Sequence, residues 1–215
     1  MLLIRPNNER MTSPWIYTHD TQRMVTPVGN RVFFTSDLHF GHANIIHFCK
    51  RPFATVEEMD EVLIENWNRK VHRNDTVYIL GDFAFRATKP ASEYLSRLKG
   101  NKILIRGNHD ASWMKDPESV AMLDAVHDIL TVHQSDYQAV LCHYPMLSWP
   151  HLQRGAYMIY GHIHNNRDED PCIAFGLSDK MLNAGVDVNR FEPVTLDEMI
   201  QNNKAFRATG VRPIM

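Results

Sequence analysis

Apolar residues along this chain fall into short runs that give way to polar turns. Val32-Phe33-Phe34-Thr35, Thr76-Val77-Tyr78-Ile79-Leu80, Lys102 to Ile105, Tyr137 to Cys142 and Tyr157-Met158-Ile159-Tyr160 are rich in β-branched and aromatic residues. Each such run predicts a strand. Between the first two, Met59, Leu63, Trp67 and Val71 share one face at helical spacing, and Thr55 with Glu58 three residues on forms a capping box, so a helix is predicted there. Pro90 opens a second helix, with Tyr94, Leu95 and Leu98 apolar and Gly100 just past its end. Residues 111 to 128 read as helical in parts, with Met122, Leu123 and Val126 at core positions. Met181 to Val188 reads as a strand, and Thr195 with Glu198 caps a short terminal helix. Alternating strands and helices indicate an α/β or α+β domain over residues 31–202. Residues 1–30 carry Pro6, Pro14 and Pro27 without periodicity and read as an irregular extension anchored by Trp15 and Tyr17, while 203–215 read as a frayed tail.

The turns that follow the strands hold the chemistry. They are Asp37-Leu38-His39, Gly81-Asp82, Gly107-Asn108-His109-Asp110, His143 and Gly161-His162-Ile163-His164. In extended chain the i and i+2 side chains point the same way, which pairs Asp37 with His39 and His162 with His164. Any one cluster, taken alone, is equally an ordinary turn or cap. Five at the ends of five strands are not, because functional groups in α/β sheets collect beyond the carboxyl ends of the strands. Oxygen from Asp and Asn with nitrogen from His suits Mn, Fe, Zn or Ni better than Ca. The donors are too many for one tetrahedral ion, so two adjacent metals are the economical reading.

Composition narrows the class. The 215 residues include 44% hydrophobic and 22% charged ones, as in an ordinary globular domain. Lys+Arg 23 against Asp+Glu 25 gives a formal charge of -2, which predicts no general attraction to nucleic acid or anionic membrane. Twelve His are a generous supply of ligand-type side chains. Cys49, Cys142 and Cys172 are odd in number and far apart, which argues against a disulfide framework or a zinc ribbon and for reduced thiols. The opening apolar run Met1-Leu2-Leu3-Ile4 is too short for a signal peptide or a span, so a cytoplasmic location is expected.

The ordered set D-x-H, G-D, G-N-H-D, H and G-H-x-H, running from about Val32 to about Val188, closely resembles the calcineurin-like metallophosphoesterases. The resemblance implies a four-layer αββα sandwich, two mixed β-sheets face to face with helices outside. It implies that Asp37, His39, Asp82 and His164 hold one metal, and that Asp82 bridges to a second held with Asn108, His143 and His162. His109 matches the family's catalytic histidine, and Asp110 would orient it. Manganese is the first choice of metal, with iron, zinc or nickel as alternatives.

A pair of ions about 3.5–4 Å apart clamps a phosphoryl group and activates water. The expected reaction is therefore direct attack by metal-bound hydroxide, with no covalent phosphoenzyme and with His109 protonating the leaving oxygen. Nothing large is inserted between the motifs, which predicts an open site for a small phosphorylated or nucleotide-type substrate, monoester or diester. A nuclease with the same chemistry is the alternative that the near-neutral charge does not favour. A third reading is a metal-bound scaffold without turnover, against which the presence of His109 counts. His42 and Arg106 are candidate substrate contacts. Arg51, Arg86 and Arg154 are further guanidinium candidates for phosphate, though each, like Arg106, reads first as a surface charge. His19, His47, His72, His127, His133 and His151 carry no assigned role.

Overall fold

The computed structural model describes residues 30–166 and 178–209 and the backbone of two short strands near the N-terminus. The strands are β1 Ile16–Tyr17, β2 Arg23–Val25, β3 Val32–Thr35, β4 Thr76–Ile79, β5 Asn101–Ile105, β6 Ala125–His127, β7 Ile129–His133, β8 Gln138–Cys142, β9 Tyr157–Tyr160 and β10 Met181–Asn183. The helices are α1 Ala43–Phe48, α2 Val56–Lys70, α3 Ala91–Arg97, α4 Pro117–Ala121 and α5 Leu196–Thr209.

Two sheets form, ordered β3-β4-β5-β6 and β1-β2-β7-β8-β9-β10. Their packing follows from the alternation of side chains along each strand. Phe34, Tyr78, Leu80, Ile103 and Ile105 point to one face of the first sheet and meet Leu130, Val132, Ala139, Leu141, Ile159 and Leu182 of the second. The opposite face of the first sheet, with Phe33, Val77, Ile79 and Leu104, is covered by Met59, Leu63 and Trp67 of α2 and Tyr94 and Leu95 of α3. The outer face of the second sheet, with Val140, Met158 and Tyr160, lies against Trp149 and Ala156 of the 144–156 loop. Two sheets face to face with flanking helices are therefore the architecture. The larger sheet is mixed, as expected, but the strands β3 to β6 all run parallel, and an antiparallel component enters at the bridge Phe34–Val194.

The long helix begins as its sequence dictates. Glu58 N–H donates to Thr55 Oγ1 at 3.1 Å, and Glu58 Oε2 accepts from Ala54 N–H at 2.7 Å. At α5 the same pairing recurs between Thr195 and Glu198. Other elements differ from expectation. The stretch 111–128 ends in the edge strand β6, and β7 follows it directly. The expected strand at 181–188 stops at Asn183, after which Ala184 N–H donates to Tyr160 O at 2.7 Å and Val186 N–H to Ser36 O at 3.0 Å, stitching one sheet to the other. The tail is helical as far as Thr209, because Asn203 bonds both backbone groups of Asn183. Within the stretch read as irregular, β1 and β2 join the mixed sheet; Trp15 and Cys172 lie outside the described residues. Cys49 and Cys142 are buried and in no disulfide among the described residues, and no helix among those residues is long and apolar enough to cross a membrane.

Candidate metal centre

The carboxyl ends of β3, β4 and β5 open at the same edge of the sandwich as those of β8 and β9, so turns from both sheets face each other. The turn after β3 pairs with the turn after β4 through Asp37 N–H to Gly81 O at 3.1 Å and His39 N–H to Asp82 O at 3.0 Å. The Asp37 carboxylate accepts the His162 N–H at 3.1 and 3.0 Å, joining the two sheets across the site. A Cβ on Gly161 would lie 2.7 Å from Asp37 Oδ2, and one on Gly81 would lie 2.5 Å from His143 Nδ1. Both positions need glycine for close approach. Asp37, His39, Asp82, His162 and His164 adopt positive φ of 57°, 55°, 53°, 71° and 50°. Non-glycine residues in this region cost roughly 1–3 kcal/mol each and concentrate at functional sites.

Seven predicted side chains converge here. Asp37, His39 and His164 present one group of potential ligand atoms, and Asp37, Asp82 and His143 another. Asp82 Oδ2 lies between them, 3.6 Å from His39 Nε2 and 3.5 Å from His143 Nε2. Asn108 Oδ1 stands 3.0 Å from His143 Nε2 and 3.0 Å from His162 Nδ1. His143 Nδ1 is fixed by Leu80 O at 2.7 Å, which leaves Nε2 for the centre.

Burial, together with Asp37 and Asp110, pushes the Asp82 carboxyl up to about 7 against the pull of His143. Burial likewise holds His39 well below its usual value, assisted by His164 and Arg51, and lowers His162. His164 behaves oppositely: burial would lower it, but Asp37 and the bond to Asp187 raise it to about 11. Buried carboxylates crowded among imidazoles, two of which (His39 and His162) burial biases toward the neutral form, bring together the donor types a divalent ion takes. The donor set fits a divalent ion, because the buried His39 Nε2 has no hydrogen-bond partner and faces Asp82 Oδ2 at 3.6 Å, beyond hydrogen-bonding range.

His109 sits at the rim, partly exposed, its ring centroid 3.9 Å from that of Phe85 and its Nε2 3.9 Å from Asp82 Oδ2. Burial lowers its pKa. Asp110 does not meet the His109 imidazole. Its carboxylate accepts Asp82 N–H at 3.0 Å, Phe83 N–H at 2.9 Å, Gly107 N–H at 2.7 Å and Trp113 Nε1–H at 2.8 Å. It fastens the β4 and β5 turns together, which corrects the expected role of orienting His109.

Of the weaker candidates, His42 is buried beside the centre, its Nδ1 3.3 Å from that of His39, and burial lowers its pKa to about 4. Arg106 instead pairs with the exposed Asp128 at 2.8 Å and does not line the cleft over the centre. Arg51 is neither a surface charge nor a phosphate contact. Buried, it grips Asp187 through Nε at 3.0 Å and Nη2 at 2.9 Å and also donates to Asp37 O at 2.7 Å and Leu38 O at 2.9 Å.

Asp187 escaped the sequence reading. Its Oδ2 is 3.0 Å from His164 Nδ1, which turns Nε2 toward Asp37. The available signal was a lone acid inside the apolar run Ala184 to Val188. Burial would raise Asp187, yet Arg51 and His164 hold it below the usual carboxylate range.

A cleft of about 800 Å³ opens over the centre, lined by His39, His109 and His164 on its floor. Turn-borne nitrogen and oxygen donors thus gather between the two sheets as possible metal ligands. The family pattern of calcineurin-like phosphoesterases matches residues 30–166, and the chain belongs to that family. It is 37% identical over 183 residues to the uncharacterized protein MJ1445 of Methanocaldococcus jannaschii, covering 82% of this chain and 95% of that one. It is also 40% identical over 84 residues to the gene 66 protein of Mycobacterium phage L5, covering 38% of this chain and 40% of the phage protein. The crystal structure of AQ665, a protein of unknown function from Aquifex aeolicus, superimposes with a TM-score of 0.62 at 28% identity, covering 80% of this chain and 99% of that chain.

Proposed function

We propose that this chain hydrolyses a phosphate ester, monoester or diester, at a two-metal centre. In this reading Asp37, His39, Asp82 and His164 hold one divalent ion, and Asp82, Asn108, His143 and His162 hold the second. Manganese is the first choice, with iron, zinc or nickel as alternatives. The observation that carries the reading is the position of Asp82, whose one carboxylate oxygen lies 3.6 Å from a nitrogen of the first group and 3.5 Å from a nitrogen of the second. Ions bound there would supply an activated water and neutralise charge on the phosphoryl oxygens. The protein's own contribution is positional. Leu80 O and Asp187 fix two imidazoles through their Nδ1 atoms. Asp110 keeps the β4 and β5 turns in register. In this reading His109, at the rim, would give a proton to the departing oxygen, and the open cleft would take a small phosphorylated or nucleotide-type substrate.

The test is hydrolysis of a chromogenic monoester and a chromogenic diester by metal-stripped protein reloaded with manganese, in parallel with His109→Ala. Turnover should require metal, and the variant should lose on the order of 10²–10⁴ in kcat with its metal content unchanged. Full turnover in His109→Ala removes that residue's role. Absence of turnover with two metals bound leaves a metal-bound scaffold.

A further inference from the structure

The cleft has an organic wall as well as a polar floor. Leaving the centre, the ring of His109 meets Phe85 at a centroid distance of 3.9 Å, Phe85 meets His42 at 4.9 Å, and His42 meets Phe48 at 6.4 Å. Four rings thus lead from the proposed proton donor outward to solvent. Phe48 closes the short helix α1 and is 72% exposed, an uncommon position for a large apolar side chain with a buried core so near. Two cations flank the wall. Arg86 holds its guanidinium 5.1 Å from the Phe85 ring, in a backbone conformation of φ 52°, and Lys50 borders the same cleft with φ 51°. Among the described lining residues these are the lysine and the arginine, and no carboxylate joins them.

A phosphate ester alone would not use such a wall. Charge would draw it to the centre and to Lys50 and Arg86, and the rings beyond would stay wet. An ester carrying a flat heteroaromatic group would use all of it, since ring faces stack on bases regardless of sequence and arginine adds a cation–π contact. We infer that the Phe48–His42–Phe85 wall is a nucleobase subsite, so that the substrate is a nucleoside phosphate ester, either a free nucleotide or the end of a nucleic-acid strand. This rests on the phosphoesterase reading for what happens at the phosphate, but the binding of the base stands on the wall itself.

Both parts are separable. Manganese-loaded full-length protein is titrated with AMP and with ribose 5-phosphate, which share the sugar phosphate and differ in the base. AMP should bind at least about tenfold more tightly; Phe48→Ala should remove most of that preference, and Phe48→Trp should keep it. Equal affinity for the two ligands, or a preference untouched in Phe48→Ala, overturns the subsite. Hydrolysis of p-nitrophenyl thymidine 5′-phosphate and of methyl p-nitrophenyl phosphate is followed in the same preparations, and the ratio of their kcat/KM values should fall about tenfold or more in Phe48→Ala. Turnover of both esters without a base preference removes the subsite and leaves the phosphoesterase. A base preference in binding without turnover of either ester leaves the subsite and removes the phosphoesterase. A 5′-phosphorylated pentathymidylate set against thymidine 5′-monophosphate distinguishes the two sources: tighter binding of the oligonucleotide assigns the subsite to strand ends, and equal binding to free nucleotides, each supporting a base-binding wall.

Discussion

At Asp187 a single carboxylate ties the proposed centre to the rest of the chain. One oxygen takes Arg51 Nε at 3.0 Å, and the other takes Arg51 Nη2 at 2.9 Å and His164 Nδ1 at 3.0 Å. Asp187→Asn keeps the size but removes the charge that fixes the imidazole and answers the buried guanidinium. Partners that orient a ligating His typically contribute 10–100-fold in metal affinity. The variant should lose about that much for manganese, measured by competition with a chromophoric chelator, with its far-UV circular dichroism unchanged. Affinity equal to wild type would reduce Asp187 to a packing residue. Asp60 makes a different kind of prediction. Burial pushes its carboxyl up from 3.8 to about 6, although Gly41 N–H donates to it at 3.1 Å. A carboxyl raised in the folded state binds more protons there than in the unfolded chain, so folding stability falls as pH rises from about 4 to about 6. Asp60→Asn removes that contribution. Relative to wild type, its melting temperature should rise on going from pH 4.5 to pH 8, and a constant difference across that window would show that Asp60 does not titrate as described.

Elements differ in how they are held. The start of α2 depends on one hydroxyl, and Thr55→Ala should cost about 1 kcal/mol in urea unfolding. The far end of the chain depends on Asn203, buried in α5, whose amide accepts Asn183 N–H at 2.8 Å and donates to Asn183 O at 2.9 Å. Asn203→Ala takes the partner of the buried Asn183 N–H, while Asn183 O keeps its bond from Asn189 Nδ2 at 2.9 Å; the loss should be about 1–3 kcal/mol and should weaken the last strand without touching the donor cluster. The contrast explains what was legible in the sequence. Helix α2 announces itself because its cap, its stripe of Met59, Leu63 and Trp67 and its charges all lie within a few turns. The turn-borne donors were legible for the same reason, since each stands directly after an apolar run. Strand β6 was not, because three half-buried residues become a strand only by pairing with β5, some twenty positions earlier. Nor was the helical extension past 203, whose reason is a bond to Asn183, nor the clamp of Arg51 on Asp187, 136 positions apart. Partners chosen by the fold leave no local signature.

Across the whole molecule, the proposed centre is also a joint. Asp37, His39, Asp82 and Asn108 come from turns of the parallel sheet, while His143, His162 and His164 come from turns of the mixed sheet. In the protein without metal these turns are joined by the His162 N–H bonds to Asp37, the His143 Nδ1 bond to Leu80 O and the stitching of residues 184–186, while carboxylates crowd together and five donors sit in strained left-handed backbone. A divalent ion bound between the sheets opposes both the repulsion and the relaxation of those turns, and it has no equivalent site in the unfolded chain. Binding must therefore appear as stability, about 2.7 kcal/mol per site at a hundredfold excess of metal over Kd. For a chain of this size that is roughly 5–10 °C in Tm for each ion. Melting curves recorded with chelator and then with increasing manganese should rise by that amount per site and keep rising logarithmically with free metal. His143→Ala, which removes a donor from one proposed site alone, should retain about half the increase. A melting temperature indifferent to chelator and metal would mean that the seven donors do not bind an ion in the folded protein, and the two-metal reading would fall with it.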